Sequence, residues 1–281
     1  MMTVIEVVKK TSDFFASRGI ESPRLNAELL VGHALGLARM RLYIEFERPV
    51  SEAELGAVRE LVRRRGRREP VQHILGYTEF CGLRLRTDRR ALIPRPETEL
   101  LVETVTERCA GPPGRILDLG TGGGAIGLAL ARAFPGARVT AVDVSPEALA
   151  LAAENAVSTG LADRITFVES DWFDRLPAGE RYELIVSNPP YLSPDETAAA
   201  APEVRDHEPG RALTAADGGF ADIARIVAGA CRVLSPGGML ALETGGGHRA
   251  RLTAALASAG YGRIEPLRDL AGRDRFVLAW R

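Results

Sequence analysis

Hydrophobic residues between Val4 and Gln72 recur at intervals of three and four, with almost no strand-like alternation. That spacing is typical of helices with one buried face. Pro23 is placed to open one helix and Gly36 to end it, and Ser51 begins a Ser-Glu-Ala-Glu capping box. Residues 1–75 are therefore predicted to form an N-terminal bundle of about four short helices.

The pattern changes after Gly76. Residues 79–87 alternate between apolar and polar positions, which predicts a β-hairpin linker over residues 76–94 before the prolines at 94 and 96. From residue 95 to residue 281, short β-rich runs alternate with helical patterns, as in a parallel sheet covered by helices.

Seven strands are predicted in this second part. They are Arg115–Leu119, Arg138–Val144, Ile165–Glu169, Tyr182–Ser187, Gly238–Glu243, Arg263–Leu267 and Arg275–Trp280. The last two lie too close together for a connecting helix, which predicts an antiparallel pair at the sheet edge. The predicted fold class is α/β, with a seven-stranded Rossmann-like sheet behind an N-terminal helical bundle.

Composition narrows the function classes. The 281 residues are 46% hydrophobic and 26% charged, with 36 basic against 37 acidic side chains and a net charge of −1. This balance disfavours stable nucleic-acid binding. Cys81, Cys109 and Cys231 are widely spaced and the histidines are scattered, so neither a disulfide framework nor a metal site is predicted. No apolar run is long enough for a membrane helix and no signal peptide is evident, so we expect a cytoplasmic protein.

A glycine-rich turn follows the first predicted strand, with Gly120, Thr121, Gly122, Gly123 and Gly124 before a helix start. Glycines allow close backbone approach, and the first turn of a helix offers free N–H groups, so a nucleotide-like ligand is predicted here. The spacing of Gly122, Gly124 and Gly127 also satisfies the dinucleotide fingerprint, so the turn alone does not separate NAD from S-adenosyl-L-methionine.

The next two strand ends carry candidate ligand contacts. Asp143 is placed to accept the hydroxyls of a ribose, with capping of the helix that begins at Pro146 as the alternative. Asp171 is a candidate for the adenine amino group, and Trp172 for the adenine ring face or for the core. Because parallel strands end at one edge of a sheet, these contacts are predicted to converge.

The most specific feature follows the fourth predicted strand: Asn188, Pro189, Pro190 and Tyr191. The prolines make this turn rigid and rich in acceptors. An amide or exocyclic amino nitrogen is a poor nucleophile because its lone pair is delocalised. We expect the Asn188 side-chain oxygen and the Pro189 carbonyl to hold the N–H groups of such a nitrogen, while Tyr191 packs against its plane. Catalysis would then rest on positioning and electrostatics, without a strong base.

The chain resembles the release factor glutamine methyltransferases (PrmC/HemK type) over nearly its whole length. The resemblance rests on these segments: 76–80, 93–99, 118–126, 170–173, 187–191, 208–213 and 217–218. It implies a substrate-recognition role for residues 1–75 and a methyltransferase domain over residues 95–281. It also implies transfer of methyl from S-adenosyl-L-methionine, giving S-adenosyl-L-homocysteine, to the glutamine of the Gly-Gly-Gln loop in class I peptide release factors.

The resemblance also suggests roles for individual residues. The donor would contact residues 120–124, Asp143, Trp172 and Asn188, and the acceptor would contact residues 188–191. Two departures are visible: Gly123 stands where the family usually has Thr or Ser, and residues 244–248 lack a glutamine common in the family.

Alternatives remain open from the residues alone. The same acceptor turn suits an adenine or guanine amino group in nucleic acid, although no extended basic or base-reading region is visible. A non-catalytic scaffold would not need an intact turn, and a dehydrogenase would need a hydride site. The basic run at residues 63–68 is interpreted as a solvated helix end, with contact to an acidic patch of a release factor as the alternative.

Overall fold

The structure is a computed structural model that describes residues 2–281. The chain forms two compact units. The first runs to Gly76 and also includes Ala201–His207, and the second comprises Tyr77–Ala200 with Glu208–Arg281. The predicted hairpin segment therefore clusters with the sheet unit, and a short segment from the second half of the chain clusters with the helical unit.

The elements are numbered in chain order. The helices are α1 (Val4–Ser17), α2 (Pro23–Leu35), α3 (Arg39–Ile44), α4 (Glu52–Gly66), α5 (Val71–Leu75), α6 (Pro96–Arg108), α7 (Ala125–Ala133), α8 (Pro146–Ser158), α9 (Pro194–Ala199), α10 (Pro202–Arg205), α11 (Ala216–Gly219), α12 (Ala221–Val233) and α13 (Arg249–Ser258). The strands are β1 (Tyr77–Phe80), β2 (Leu83–Arg86), β3 (Arg115–Leu119), β4 (Arg138–Asp143), β5 (Ile165–Glu169), β6 (Tyr182–Ser187), β7 (Leu234–Glu243), β8 (Arg263–Arg268) and β9 (Asp274–Trp280).

The first unit is helical, as the hydrophobic spacing predicts. Pro23 occupies the first turn of α2, and Gly36 ends that helix in the left-handed region at φ 65°. Ser51 caps α4 by accepting from the Glu54 backbone, and the Glu54 carboxylate accepts from the Ser51 backbone. Side chains from several helices, including Phe15 and Leu30, form one buried apolar cluster. These signals therefore act locally as the sequence indicates.

The basic run at residues 63–68, at the end of α4, is only partly exposed to solvent, whereas a solvated helix end was predicted. Arg65 is only 5% exposed, and it donates to Asn26 (2.8 Å) and to Glu203 on α10 (2.7 Å). Arg68 donates to the other oxygen of Glu203 (2.8 Å). Arg64 pairs with Glu69 through two hydrogen bonds. Arg64, Arg65 and Arg68 therefore form ion pairs inside the helical unit. The spacing of residues along one helix does not reveal such partners.

The second unit contains the seven-stranded sheet. Its strand order is β5-β4-β3-β6-β7-β9-β8. Strands β3 to β7 pair in parallel, and β9 is antiparallel to both β7 and β8. The predicted fold class and the antiparallel edge pair are confirmed. Because the chain runs outward from β3 to β5 and then returns to the other side of β3, a crevice is expected at the carboxyl ends of β3 and β6.

Apolar side chains cover both faces of this sheet. One buried cluster gathers α6 and α7 over β3, β4 and β6, and a second gathers α12 and α13 over the opposite face. The whole apolar stretch of α7 is buried, which explains its continuous hydrophobic run. Hairpin β1–β2 adds Leu83 and Leu85 to the first cluster. The two layers hold the strand ends, and the loops that follow them, in fixed positions.

Candidate active site

A cavity of about 490 Å³ opens at the carboxyl ends of β3, β4, β5 and β6. Its size falls within the few hundred to a thousand Å³ typical of small-molecule sites. Predicted residues in its lining are Gly120, Gly122, Asp143, Asp171, Trp172, Asn188 and Pro190. Residues from three of the predicted strand ends and from the acceptor turn therefore meet in one place.

The glycine loop forms the floor of this cavity. Gly120, Gly122 and Gly124 have φ values of 69°, 54° and 87°, a region that favours glycine. A Cβ on Gly120 would lie 3.3 Å from the Trp172 ring, so the loop backbone and the indole are in close contact. Thr121, Gly123 and Gly124 do not line the cavity, and their assignment as cofactor contacts stays a prediction.

Asp118, at the end of β3, anchors the loop from below. One carboxylate oxygen accepts from the Thr121 hydroxyl (2.6 Å) and from the Gly127 amide (2.9 Å), while the other has no partner among residues 2–281. Burial raises the pKa of Asp118 to about 6, against the opposing effect of these two hydrogen bonds. Asp118 belongs to the family segment 118–126, but the sequence does not predict a role for it in the site. Its contacts with Thr121 and Gly127 form only when the loop folds back over β3.

Asp143 ends β4 and faces the cavity. Its two carboxylate oxygens accept from the Gly122 amide (2.8 Å) and from the Ser145 amide (2.9 Å). Ser145, not Asp143, caps α8 by accepting from Ala148. Burial raises the pKa of Asp143, and the two amide hydrogen bonds oppose that rise. Asp143 therefore joins the loop to the next strand and still presents acceptor lone pairs, as the ribose prediction needs.

Asp171 and Trp172 lie just after the end of β5. The Trp172 backbone has a φ of 51°, which is uncommon for a bulky residue and marks a locally strained turn. Its indole N–H donates to Asp222 (3.1 Å), and its ring is partly buried against the apolar cluster. Asp171 is half exposed and pairs with Arg225 (2.9 Å). The Trp172 ring is thus both a core contact and a cavity wall.

The acceptor turn is fixed to the glycine loop by the sheet. Leu119 of β3 and Ser187 of β6 are register partners, and the Ser187 hydroxyl donates to the Leu119 carbonyl (2.7 Å). Gly120 and Asn188 therefore leave the sheet side by side. The Asn188 amide nitrogen donates to the Thr98 hydroxyl on α6 (3.2 Å). The nitrogen end of the Asn188 side chain is therefore held by α6, in a residue that lines the cavity.

Tyr191 is directed away from the cavity lining. Its hydroxyl donates to Glu243 (3.4 Å) and accepts from Arg275 (3.2 Å), and burial raises its pKa to about 12. The His248 ring nitrogen donates to the Tyr191 carbonyl (3.0 Å). Neither Tyr191 nor Pro189 lines the cavity, so stacking of Tyr191 on an acceptor and the catalytic role of Pro189 stay predictions.

Several cavity residues lie outside the predicted set. Arg89, Arg90, Pro209 and Arg211 line the cavity from loops that the sequence places far from the strand ends. Pro209 and Arg211 belong to segment 208–213, which the sequence singles out only through its resemblance to the family. Within it, buried Glu208 accepts from the Ile93 amide (3.2 Å) and from Arg95 (2.7 Å). That contact joins the segments before α6 and after α10 at the cavity wall.

Among residues 2–281, no group of three or more His, Cys, Asp or Glu side chains is arranged to hold a metal ion. Across the same residues, no helix combines the length and apolar character needed to cross a membrane.

Comparisons with known proteins identify the family. A model described as the PrmC N-terminal domain matches residues 6–76, and one described as the methyltransferase small domain matches residues 96–205. A release factor glutamine methyltransferase of Rhodopirellula baltica is 41% identical over 98% of this chain and 95% of its own length. One of Deinococcus radiodurans is 44% identical over 94% and 93%. This chain belongs to the release factor glutamine methyltransferase family.

Solved structures support the fold. A methyltransferase of Pyrococcus furiosus aligns with a TM-score of 0.54 and 17% identity, over 71% of this chain and 89% of its own. The 16S rRNA methyltransferase RsmC of T. thermophilus, solved with AdoMet and guanosine, aligns with a TM-score of 0.54 and 23% identity, over 73% and 49%. These similarities confirm a Rossmann-like methyltransferase fold for the second unit of this family member.

Proposed function

We propose that this chain transfers the methyl group of S-adenosyl-L-methionine to the side-chain amide nitrogen of a glutamine, releasing S-adenosyl-L-homocysteine. The observation that carries the proposal is the placement of Asn188, which lines the cavity. Leu119 and Ser187 are register partners, so Gly120 and Asn188, which follow them, leave the sheet side by side. A donor on the glycine loop and a nitrogen held by Asn188 would therefore be neighbours.

The cavity suits the donor. Its floor is glycine backbone at positive φ, where side chains would be strained, and a Cβ on Gly120 would contact the Trp172 ring. Asp143 offers carboxylate oxygens for a ribose, and the indole of Trp172 offers an apolar face for a purine. Bound S-adenosyl-L-methionine supplies a methyl group on a positively charged sulfur.

The chain's own residues supply positioning. The Asn188 side-chain oxygen and the Pro189 carbonyl accept the two N–H groups of the glutamine amide in its own plane. The lone pair of the nitrogen is perpendicular to that plane and is thereby directed at the methyl group of the donor. These acceptors favour the positive character that develops on the nitrogen as its new bond forms. The N–H acidity rises during that step, so the proton passes to solvent water without a strong base. Alignment of the two reactants in one site accounts for much of the rate.

The names of the relatives support the choice of acceptor protein. Both quoted relatives are named release factor glutamine methyltransferases, and each covers more than nine-tenths of this chain. We infer that the substrate is the glutamine of the Gly-Gly-Gln loop in class I release factors, which act in the cytoplasm. The net charge of −1 gives the chain no overall attraction to nucleic acid, so stable nucleic-acid binding is not expected.

The test is methyl transfer from labelled donor to a purified class I release factor. A matched release factor carrying Gln→Ala in the Gly-Gly-Gln loop, and bulk RNA and DNA, are assayed beside it. We expect label in the intact release factor alone. Equal label in the Ala variant would refute the glutamine assignment, and label in nucleic acid would favour the base-methylating alternative.

A further inference from the structure

A buried carboxylate lies behind the acceptor turn. Glu243 ends β7 and is 1% exposed. One of its oxygens accepts from the Thr98 hydroxyl on α6 at 2.7 Å, and that hydroxyl in turn accepts from the Asn188 amide nitrogen at 3.2 Å. The three side chains thus form a continuous line of hydrogen bonds from the sheet interior to the cavity.

The direction of each bond follows from the chemistry of the groups. A carboxylate only accepts, so the single hydroxyl proton of Thr98 is directed to Glu243. Thr98 can therefore only accept from Asn188, which requires the amide nitrogen, not the oxygen, to face it. The Asn188 oxygen is consequently turned away from Thr98 and remains available as an acceptor.

The second oxygen of Glu243 accepts from the Tyr191 hydroxyl at 3.4 Å, while Arg275 donates to that same hydroxyl at 3.2 Å. A carboxylate can accept from Thr98 and Tyr191 together. A glutamine has one accepting and one donating end, so it would satisfy only one of these two donors. The geometry therefore favours a carboxylate at position 243 specifically, despite the cost of burying it.

We propose that Glu243 and Thr98 are positioning residues that fix the orientation of the Asn188 amide, so that its oxygen and not its nitrogen meets the acceptor's N–H groups. This inference rests on the proposed function, in which Asn188 holds a glutamine amide. A reversed Asn188 would direct its own N–H groups at those of the substrate. The line of hydrogen bonds thus sets acceptor alignment without touching the substrate.

Kinetics test the proposal through matched variants of Thr98. Thr98→Val removes the hydroxyl at nearly constant volume, and Thr98→Ser restores it. We expect Thr98→Val to lower kcat by about 10- to 100-fold, the scale of a misaligned reactant. The KM for the donor and the affinity for S-adenosyl-L-homocysteine should change less than kcat does, because Thr98 does not itself line the donor cavity. Thr98→Ser should recover most of kcat.

Thr106→Val is the control on the same helix, because the Thr106 hydroxyl donates only locally, to the Val102 carbonyl at 2.8 Å. It should leave kcat near the wild-type value. The proposal is overturned if Thr98→Val keeps kcat within about twofold of wild type, a change too small for lost alignment. It is also overturned if Thr98→Ser fails to rescue, or if Thr106→Val is equally impaired.

A second measurement needs no turnover. In protein labelled with ¹⁵N asparagine, the Asn188 side-chain amide signal is assigned by its loss in Asn188→Ala. Glu243→Gln should shift this signal although the two side chains do not touch, and the shift should vanish in a Thr98→Val background. A shift that persists there, or no shift at all, would contradict the relay.

The two measurements separate the possible failures. If the wild-type chain transfers no methyl to a release factor, the proposed function fails, and the amide signal still decides whether Glu243 orients Asn188 through Thr98. If the wild-type chain is active but the variants behave as their controls do, only the positioning role fails.

Discussion

Replacing Asp118 with Asn tests whether burial raises the pKa of the carboxyl beneath the glycine loop. Asp118 is fully buried, and burial raises its pKa from 3.8 to about 6. The folded state therefore holds a proton more tightly than the unfolded state does. The stabilisation is fully present below the unfolded pKa and is lost as pH rises through the folded pKa. The difference between 3.8 and about 6 corresponds to roughly 3 kcal/mol at neutral pH.

The assay compares urea unfolding of wild type and Asp118→Asn at several pH values from 4 to 8. Other buried acids, including Glu243 and Glu208, titrate in both proteins, so the difference between the two curves reports Asp118 together with its repulsion by Asp143. We expect wild type to lose about 2–3 kcal/mol relative to the variant between pH 4 and pH 7. Asn keeps the acceptor for Thr121 and Gly127. A difference that stays flat with pH would refute the buried, proton-holding carboxylate.

Three further predictions concern the loop, the turn and the helical unit. Asn188→Ala should lower kcat by about 100-fold or more while the fold stays intact. Labelled transfer measures turnover and urea unfolding measures the fold, and near-normal turnover contradicts the role of the turn. In Gly127→Ala the new Cβ would lie 2.9 Å from the buried carboxylate below the loop, so urea unfolding should show a loss of about 1–3 kcal/mol. Gly123→Ala, whose Cβ meets a leucine side chain at 3.4 Å, should be tolerated, and equal losses would contradict this distinction. Glu203→Ala strands a buried arginine and should cost about 2–4 kcal/mol. Glu60→Ala, which breaks an exposed pair, should cost under about 0.5 kcal/mol, and similar losses in both would show that burial does not matter here.

Local signals predicted the elements well because the interactions that form them are close in sequence. The predicted bounds of β3, β5 and β6 are those of the structure. Gly36 and the capping box of α4 act within one helical turn of the residues they satisfy. The convergence of the strand ends could also be predicted, because the alternation of strands and helices implies which loops share an edge of the sheet.

Contacts between segments that are distant in sequence could not be predicted from local sequence patterns. Thr98 lies 90 residues from Asn188 and 145 residues from Glu243, yet the three form one line of hydrogen bonds. Arg65 bonds Glu203 across 138 residues, which is why the basic run was misread as solvated. Which polar side chains become partners depends on how whole helices and strands pack. The periodicity of either segment therefore does not predict the partner.

The proximity of the glycine loop and the acceptor turn follows from β register. Leu119 and Ser187 are paired across β3 and β6, so the residues that follow them, Gly120 and Asn188, emerge at the same level of the sheet. A slip of one residue would turn every side chain of β6 to the opposite face and bury its apolar set on the wrong side. Register is therefore specified by the two hydrophobic clusters, and the placement of Asn188 beside the glycine loop is a consequence of core packing. The buried carboxylates then need only orient groups that the sheet has already brought together: Asp118 and Asp143 on the donor side, and Glu243 on the acceptor side.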